Sequence, residues 1–307
     1  MRIVFFGTPE FAVPSLEALL AERAPVVGVV TQPDRPQGRS RSTLVPPPVK
    51  QLAERHGIPV LQPERPRGDV FLAALRHWQP ELGIVVAYGH ILKAEVLSLP
   101  GRGMINVHAS LLPELRGAAP INWAILRGDA DTGISIMQMD QGMDTGPVLR
   151  QAVTPIGVNE TAGELTSRLS MLGAETLIES LALLQMGRLT ATAQDESRAS
   201  FAPKIGKEMV RLDWKEPAAV VARKIRAFDP APGAWSYWKG SSQVKLFGPL
   251  AVAGDQAPGK VVSTAPLTVA AGRGMVEIAE VIPSGRGRMT AEAWCRGRGP
   301  KVGDLFL

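Results

Sequence analysis

An amide and an imidazole lie two residues apart in "MINVHASLLPELRGAAPINW", residues 104–123, after a short apolar run. If residues 104–108 form a strand, alternation places Asn106 and His108 on one face and the apolar residues beside them on the other. An Asn amide can donate a hydrogen bond to an oxyanion, and an imidazole can stabilise or protonate a tetrahedral intermediate. The pair therefore indicates a site at a strand end, followed by a loop over "SLLPELRG".

A carboxylate follows in a second polar loop. The stretch "GISIMQMDQGMDTGPVL", residues 133–149, is predicted to be a strand that runs into a loop containing Gly142, Asp144 and Gly146. Acidic residues in such loops are mostly turn formers. The position of Asp144 alone therefore does not decide whether it forms the turn or takes part in catalysis. If it orients and charges His108, the three side chains suit acyl transfer to an amine. Direct attack by the amine needs no protein nucleophile, and no Ser or Cys lies in a GxSxG elbow.

Metal and nucleotide chemistry lack their usual sequence signals. The four histidines and the single cysteine fall at neither HxxxH nor CxxC spacing, so we expect no metal site. The stretch "FFGTPEFAV" holds one glycine and matches neither GxGxxG nor a P-loop. A dehydrogenase is therefore a distant alternative.

The composition of the chain indicates where in the cell the protein is expected to be located. Of the 307 residues, 45% are hydrophobic and 21% are charged, and no apolar run approaches the roughly 18 residues that a membrane helix needs. The segment "MRIVFFGTPEF" is too short for a signal-peptide core, and Cys295 alone cannot form an internal disulfide. We therefore expect a cytoplasmic protein with no membrane partner. No pattern suggests an obligate interface, so we expect a monomer.

The elements expected to position the site alternate in the front half. Near-continuous β-branched runs, typical of strands buried in a parallel sheet, lie at residues 2–6, 26–30 and 82–87. Stretches with apolar residues at helical spacing lie at residues 9–22, 47–57 and 69–78. This alternation predicts an open α/β sheet with its ligand beyond the carboxyl ends of the strands.

The back half follows a different pattern. A long helix is predicted over residues 161–186, with Thr161 as its N-cap and Glu164 completing a capping box. After a polar segment without any period, short strand-like runs broken by Gly and Pro favour a small β-barrel or sandwich. The expected division is a front domain, a linker and a back domain at residues 1–188, 189–206 and 207–307.

Positive charge is concentrated toward the back. Residues 201–307 hold 16 Lys and Arg against 9 Asp and Glu, whereas residues 1–200 hold 18 against 20, within a net charge of +5. The asymmetry fits a nucleic-acid partner and equally a solvated basic surface. The front half has a basic loop, "TQPDRPQGRSRSTLVPPPVK", which is too long for an ordinary βα turn. Its Arg35, Arg39 and Arg41 are either solvated or placed to grip phosphates.

The motifs of this sequence resemble those of the methionyl-tRNA formyltransferases. Members of that family carry, in order, "FxGTPxFA", "PDRPxGRG", "AYGxIL", "NxHxSLLPxxRGxAPIxWAI" and "MxxGxDTGPxL". The corresponding segments here are "FFGTPEFAVPSLEAL", "TQPDRPQGRSR", "AYGHIL", "INVHASLLPELRGAAPINWAI" and "MDQGMDTGPVL". The back half matches in "FAPKI", "IRAFDPAPGAW" and "GRGRMTAEAWCRG", so the resemblance covers nearly the whole chain.

The resemblance implies a function and a set of site residues. The implied reaction transfers the formyl group of a co-substrate, 10-formyltetrahydrofolate, to methionyl-initiator tRNA in a bacterial cytoplasm. The implied fold is an open, mostly parallel Rossmann-like sheet domain followed by a small OB-like β-barrel, an architecture that binds nucleic acid. The implied residues are a catalytic trio of Asn106, His108 and Asp144, a folate-contacting loop of Ser110, Leu111, Leu112 and Pro113, and a tRNA-contacting loop with Arg35, Arg39 and Arg41.

Departures from the family pattern occur at Lys93, Glu114 and Leu115, and the basic loop has "GRSRST" where Lys is commoner. None of these departures falls at a residue of the trio, so we expect them to affect tRNA docking rather than catalysis. One alternative is another folate-dependent formyltransferase, acting on a small amine such as glycinamide ribonucleotide or an amino sugar, for which the basic back half would be unnecessary. The alternative from a different class is a catalytically inactive RNA-binding protein. The intact trio and the intact "SLLP" loop argue against it.

Overall fold

The computed structural model describes residues 1–37, 43–240 and 242–307, which form two compact units. The first unit comprises Met1–Gly117, Asp131–Pro155 and Thr166–Ala202. The second comprises Ala118–Ala130, Ile156–Leu165 and Pro203–Leu307. Two short segments, residues 118–130 and 156–165, thus interrupt the first unit in sequence and belong to the second, so neither unit is one continuous stretch of chain.

A mixed sheet forms the centre of the first unit. The strands in the described part of this unit are β1 (Ile3–Gly7), β2 (Val26–Val30), β3 (Arg35–Gln37), β4 (Thr43–Val45), β5 (Val60–Leu61), β6 (Leu82–Val86), β7 (Met104–His108), β8 (Asp131–Gln138) and β9 (Val148–Pro155). The sheet runs in the order β5, β2, β1, β6, β7, β8, β9, while β3 pairs with β4 separately. The strands from β5 to β7 are parallel, and β8 and β9 are antiparallel. The expected open, mostly parallel sheet is therefore confirmed.

Six helices alternate with these strands along the described chain. They are α1 (Val13–Ala21), α2 (Pro48–Arg55), α3 (Asp69–His77), α4 (Ala94–Leu97), α5 (Pro120–Arg127) and α6 (Ala162–Gln185). The predicted capping box at the start of α6 is present, because Thr161 N–H donates to Glu164 at 2.8 Å and Glu164 N–H donates to Thr161 Oγ1 at 3.2 Å.

Helix α6 determines which face of β7 is free for a site. A Cβ added at Gly173 of α6 would lie 3.0 Å from Val107 Cγ1 and 3.5 Å from Ile134 Cδ1, so the missing side chain permits close packing on that face. Because side chains alternate along a strand, Asn106 and His108 lie on the opposite face.

The second unit is built on an antiparallel sheet. Its described elements include α7 (Ala218–Ala227), β10 (Trp235–Trp238), β11 (Ser242–Val252), β12 (Val261–Thr264), β13 (Leu267–Ala270), β14 (Met275–Pro283), β15 (Met289–Thr290) and α8 (Ala291–Arg296). The sheet runs in the order β10, β11, β14, β13, β12, and β15 pairs with β14. Single bridges from Phe306 to Trp238 and from Leu305 to Lys260 link the two edges toward a barrel, as the expected fold class requires.

Within residues 1–37, 43–240 and 242–307, no helix is both long and apolar enough to cross a bilayer.

Candidate active site

Strand β7 presents Asn106 and His108. The strand covers the predicted residues, and Asn106 pairs with Val85 of parallel β6 and with Met137 of antiparallel β8. The Asn106 side chain is half-buried. His108 is 6% exposed, and its Nε2 lies 3.1 Å from the carbonyl oxygen of Leu115. Since a carbonyl can only accept, His108 Nε2 carries the proton in this contact.

The fold brings Asp144 to the other side of the His108 ring. Asp144 Oδ2 lies 3.7 Å from His108 Nδ1, which is an ion-pair separation rather than a hydrogen bond. The same oxygen accepts a hydrogen bond of 2.8 Å from the backbone N–H of Gly117. Sequence spacing alone left open whether these side chains meet, and the loop between β8 and β9 places them together.

The loop that carries Asp144 has little freedom. Asp144 has a φ of +55°, which is uncommon for a residue with a side chain. A Cβ added at Gly146 would lie 1.8 Å from the carbonyl oxygen of Gln138, so only glycine allows the chain to pass so close to the end of β8. The backbone of this turn is therefore strained and tightly packed.

The "SLLP" segment forms an ordered loop after β7. Ser135 Oγ donates to the Ser110 carbonyl at 2.7 Å and accepts the Leu112 N–H at 3.0 Å. Gln151 Nε2 donates to the Leu112 carbonyl at 2.9 Å. Ser110, Leu112 and Pro113 are buried, and Leu111 is half-buried. Side chains of β8 and β9 thus fix the backbone of the loop for which the family resemblance implies contact with folate.

The described start of the basic loop follows β2, which belongs to the same run of parallel strands as β1, β6 and β7. Arg35 is exposed at the start of β3, and the neighbouring Asp34 forms a salt bridge of 2.8 Å with Lys50 of α2. This ion pair anchors the amino-terminal end of the loop. Arg39 and Arg41, the other two residues expected to contact tRNA, lie outside the described residues.

Two residues next to the trio were not singled out from the sequence. Arg116 is 2% exposed and forms a bidentate pair with Glu196 at 2.7 and 2.9 Å. The hydrogen bonds from Arg116 lower the pKa of Glu196 below its ordinary value, and Glu196 in turn raises the pKa of Arg116. Gln194 donates hydrogen bonds to the carbonyls of Asp144 and Gly146. An Arg-Gly pair after "SLLPEL" was a visible signal for Arg116, but no pattern marked Gln194, because its partner Asp144 lies 50 residues away.

In the part of the chain that the structure describes, no group of three or more His, Cys, Asp or Glu side chains is arranged to hold a metal ion.

Family models match both parts of the chain. Residues 1–181 match the model described as formyl transferase, and residues 204–299 match the model described as formyl transferase, C-terminal domain.

The solved structures that resemble this one share its fold at low sequence identity. HypX from Aquifex aeolicus, solved in complex with tetrahydrofolic acid, is 20% identical with a TM-score of 0.69. The match covers 99% of this chain and 50% of HypX, so this chain spans about half the length of that protein. At this identity the likeness establishes the fold alone.

Curated relatives match at much higher identity. The methionyl-tRNA formyltransferase of Magnetococcus marinus is 46% identical over 305 residues, which cover 99% of this chain and 97% of that protein. A methionyl-tRNA formyltransferase of a Synechococcus species is 47% identical over 319 residues, which cover 100% of this chain and 98% of that protein. With both family models matched and full-length relatives at this identity, the chain belongs to the methionyl-tRNA formyltransferase family.

Proposed function

We propose that this protein transfers the formyl group of 10-formyltetrahydrofolate to the α-amino group of methionine esterified to initiator tRNA. The observation that carries the proposal is the placement of Asp144 Oδ2 at 3.7 Å from His108 Nδ1, on the face of β7 that also bears Asn106. Full-length relatives named for this reaction support the assignment of both substrates.

The reaction begins when the neutral α-amino group attacks the formyl carbon and a tetrahedral intermediate forms. The Asn106 amide and a protonated His108 would donate hydrogen bonds to the oxyanion. The oxyanion would compete with the Leu115 carbonyl for the Nε2 proton, and an anion is the stronger acceptor. Asp144 would orient the ring and balance its charge.

Collapse of the intermediate breaks the bond between the formyl carbon and N10 of the folate. The proton lost by the attacking amine balances the proton gained by N10, so tetrahydrofolate leaves as a neutral amine. No side chain forms a covalent intermediate, and the proposed chemistry requires no metal.

The two substrates would meet different parts of the first unit. The loop of Ser110, Leu111, Leu112 and Pro113 begins two residues after His108 and would contact the folate. The basic loop with Arg35, Arg39 and Arg41 would contact tRNA phosphates, for which guanidinium groups are well suited. The excess of Lys and Arg in the back half favours the same polyanionic partner. We further propose that the protein acts as a monomer in the cytoplasm.

The decisive experiment mixes the protein with 10-formyltetrahydrofolate and methionyl-tRNA and measures formylmethionyl-tRNA. Free methionine and uncharged tRNA are the negative controls, and glycinamide ribonucleotide and a nucleotide-linked amino sugar test the small-amine alternative. Formylation of methionyl-tRNA alone supports the proposal. Formylation of a small amine in its place, or of none of these acceptors, contradicts it.

A further inference from the structure

Residues 192–201, which we call the strap, pack against the loops of the trio within the first unit. One end pairs through a bridge between Thr192 and Val148, and the other through a bridge between Phe201 and Arg116. At the second bridge, Arg116 N–H donates to the Ser200 carbonyl at 2.9 Å and Ala202 N–H donates to the Arg116 carbonyl at 2.7 Å. The strap therefore spans from the Asp144 loop to the segment that follows "SLLP".

Gln194, near the amino-terminal end of the strap, contacts the backbone of the Asp144 turn. Its Nε2 donates to the carbonyl of Asp144 at 2.8 Å and to the carbonyl of Gly146 at 2.7 Å. These carbonyls lie on both sides of a turn in which Asp144 has a φ of +55°. A residue with a side chain persists in that conformation only when its surroundings hold it there.

Arg116 fixes the orientation of this amide. Arg116 Nε and Nη2 both donate to Gln194 Oε1, at 3.0 and 2.8 Å. Because a guanidinium only donates, the oxygen of Gln194 must face Arg116 and its NH₂ must face the two carbonyls. Glu196 holds the far side of the guanidinium, so Arg116 is constrained from both directions.

We infer that Gln194, oriented by Arg116, is a positioning residue that holds Asp144 against His108. This inference rests on the proposed function, because it assigns Gln194 a part in the same formyl transfer. Gln194 acts through Asp144 and need not touch either substrate. Loss of its two hydrogen bonds would let the strained turn relax and move Asp144 Oδ2 away from its 3.7 Å separation from His108 Nδ1.

The matched test variant is Gln194→Glu. A glutamate retains an oxygen for Arg116 but presents a second oxygen, which cannot donate, to the two carbonyls. The contacts to the Asp144 turn are therefore lost, and a negative charge is added beside Arg116. Gln194→Met, which adds no charge but also removes the oxygen that accepts from Arg116, is the second variant. The control is Gln51→Glu in α2, where the same substitution removes a side-chain hydrogen bond of 2.9 Å to the Pro46 carbonyl. We expect kcat to fall about 10-fold to 10²-fold in both Gln194 variants, as for other groups that orient a reacting residue.

A lower kcat in the Gln194 variants must be distinguished from a smaller fraction of folded protein. The number of tetrahydrofolate-binding sites per chain, measured by equilibrium titration, counts intact sites, and kcat is expressed per site. We expect the KM values for both substrates and the site count to match those of the wild type and of Gln51→Glu. A fall in site count that accounts for the whole loss of activity would show a merely structural role and overturn the inference.

A double-mutant cycle tests whether Gln194 acts through Asp144. In an Asp144→Asn background, Gln194→Glu should change kcat less than about 2-fold, because the residue that it positions no longer functions. An equal fold-change in both backgrounds would overturn the inference.

A crystal structure of Gln194→Glu supplies a measure that does not depend on activity. We expect Asp144 Oδ2 to lie farther from His108 Nδ1 than in the wild-type crystal structure, and an unchanged separation would overturn the inference. If the wild type fails to formylate methionyl-tRNA, the proposed function fails, while this geometry still decides whether Gln194 holds Asp144.

Discussion

The backbone N–H of Gly117 donates a hydrogen bond of 2.8 Å to the same Asp144 oxygen that faces the imidazole of His108. Two residues earlier in that segment, the Leu115 carbonyl contacts the opposite nitrogen of the ring. Leu115 and Gly117 both have positive φ angles, +57° and +118°, which turn one carbonyl and one N–H toward the site. The short segment after "SLLP" thus sets the orientation of both catalytic candidates.

Replacing Asn106 by alanine should slow chemistry without weakening folate binding. Removal of one well-aimed oxyanion donor typically lowers turnover by about 10² to 10³-fold, because that donor stabilises charge that develops only in the transition state. Steady-state kinetics with methionyl-tRNA would measure kcat and the KM for 10-formyltetrahydrofolate. Asn159→Ala, at an exposed asparagine, is the control. A normal kcat in Asn106→Ala would remove Asn106 from the proposed mechanism.

Replacing Asp144 by asparagine tests its charge while preserving its shape. The amide oxygen can still accept the Gly117 N–H, but the negative charge beside His108 is lost. We expect kcat to fall by at least about 10²-fold, the low end of the contribution of a positioned acid–base group. Asp140→Asn in the same loop is the control, because Asp140 Oδ1 accepts hydrogen bonds from Gly142 and Thr145 that an asparagine oxygen can keep. Equal losses in the two variants would indicate that loop shape, not charge, matters.

Replacing Arg39 and Arg41 together by alanine should weaken recognition of the charged tRNA. If each arginine contacts a phosphate, KM for methionyl-tRNA rises, and the slope of log KM against log salt falls by about 0.7 to 0.9 per lost contact. Kinetics over a range of salt concentrations would measure both effects. The control is Arg65→Ala with Arg67→Ala, a pair of exposed arginines elsewhere in the first unit. An unchanged slope of log KM against log salt would indicate that Arg39 and Arg41 are solvated and contact no phosphate.

Replacing Gly133 by alanine should destabilise the first unit and disturb the loop of residues 110–113, for which we propose contact with folate. A Cβ there would lie 2.1 Å from the Ala152 carbonyl oxygen and 2.6 Å from Leu111 Cδ2, so β9 or Leu111 must shift. Overpacking of this kind costs about 1–3 kcal/mol of the free energy of unfolding. Thermal unfolding and the KM for 10-formyltetrahydrofolate would measure the two effects. Gly101→Ala is the control, because a Cβ at Gly101 meets no described atom within 4 Å.

Cys295 should react slowly with alkylating reagents at neutral pH. Burial, assisted by Glu292, raises the pKa of its thiol from 9.0 to about 11. A higher pKa leaves less thiolate at a given pH, so at pH 8 the folded protein should react about 10²-fold more slowly with iodoacetamide than the urea-unfolded chain. The folded rate should then rise with pH up to about 11. Equal rates in the two states at pH 8 would contradict the prediction.

Local sequence rules located the elements closest to the site. Alternation predicted the strand over Met104–His108, and the capping pair Thr161 and Glu164 marked the start of α6 within one residue. These rules succeed because strand alternation and helix capping depend on residues only a few positions apart. The mostly parallel sheet followed for the same reason from alternating strand-like and helix-like segments.

Contacts between distant segments were not predictable in this way. The sequence could not decide whether Asp144 meets His108, because that depends on how β8 pairs with β7. It gave no sign that Gln194 reaches the Asp144 turn, since Gln, Glu and Ser in a polar segment without a period are typical of a linker. The segment that holds Arg39 and Arg41 lies outside the described residues, so their predicted role stays a prediction.

The position of the strap bears on any attempt to isolate a minimal catalytic fragment. A truncation after residue 188 would retain Asn106, His108 and Asp144, yet it would delete Gln194 and the partner of Arg116. Expression trials should therefore compare fragments that end before residue 192 with fragments that end after residue 201. A shorter fragment that stays soluble would still expose the guanidinium of Arg116 and release the turn that carries Asp144.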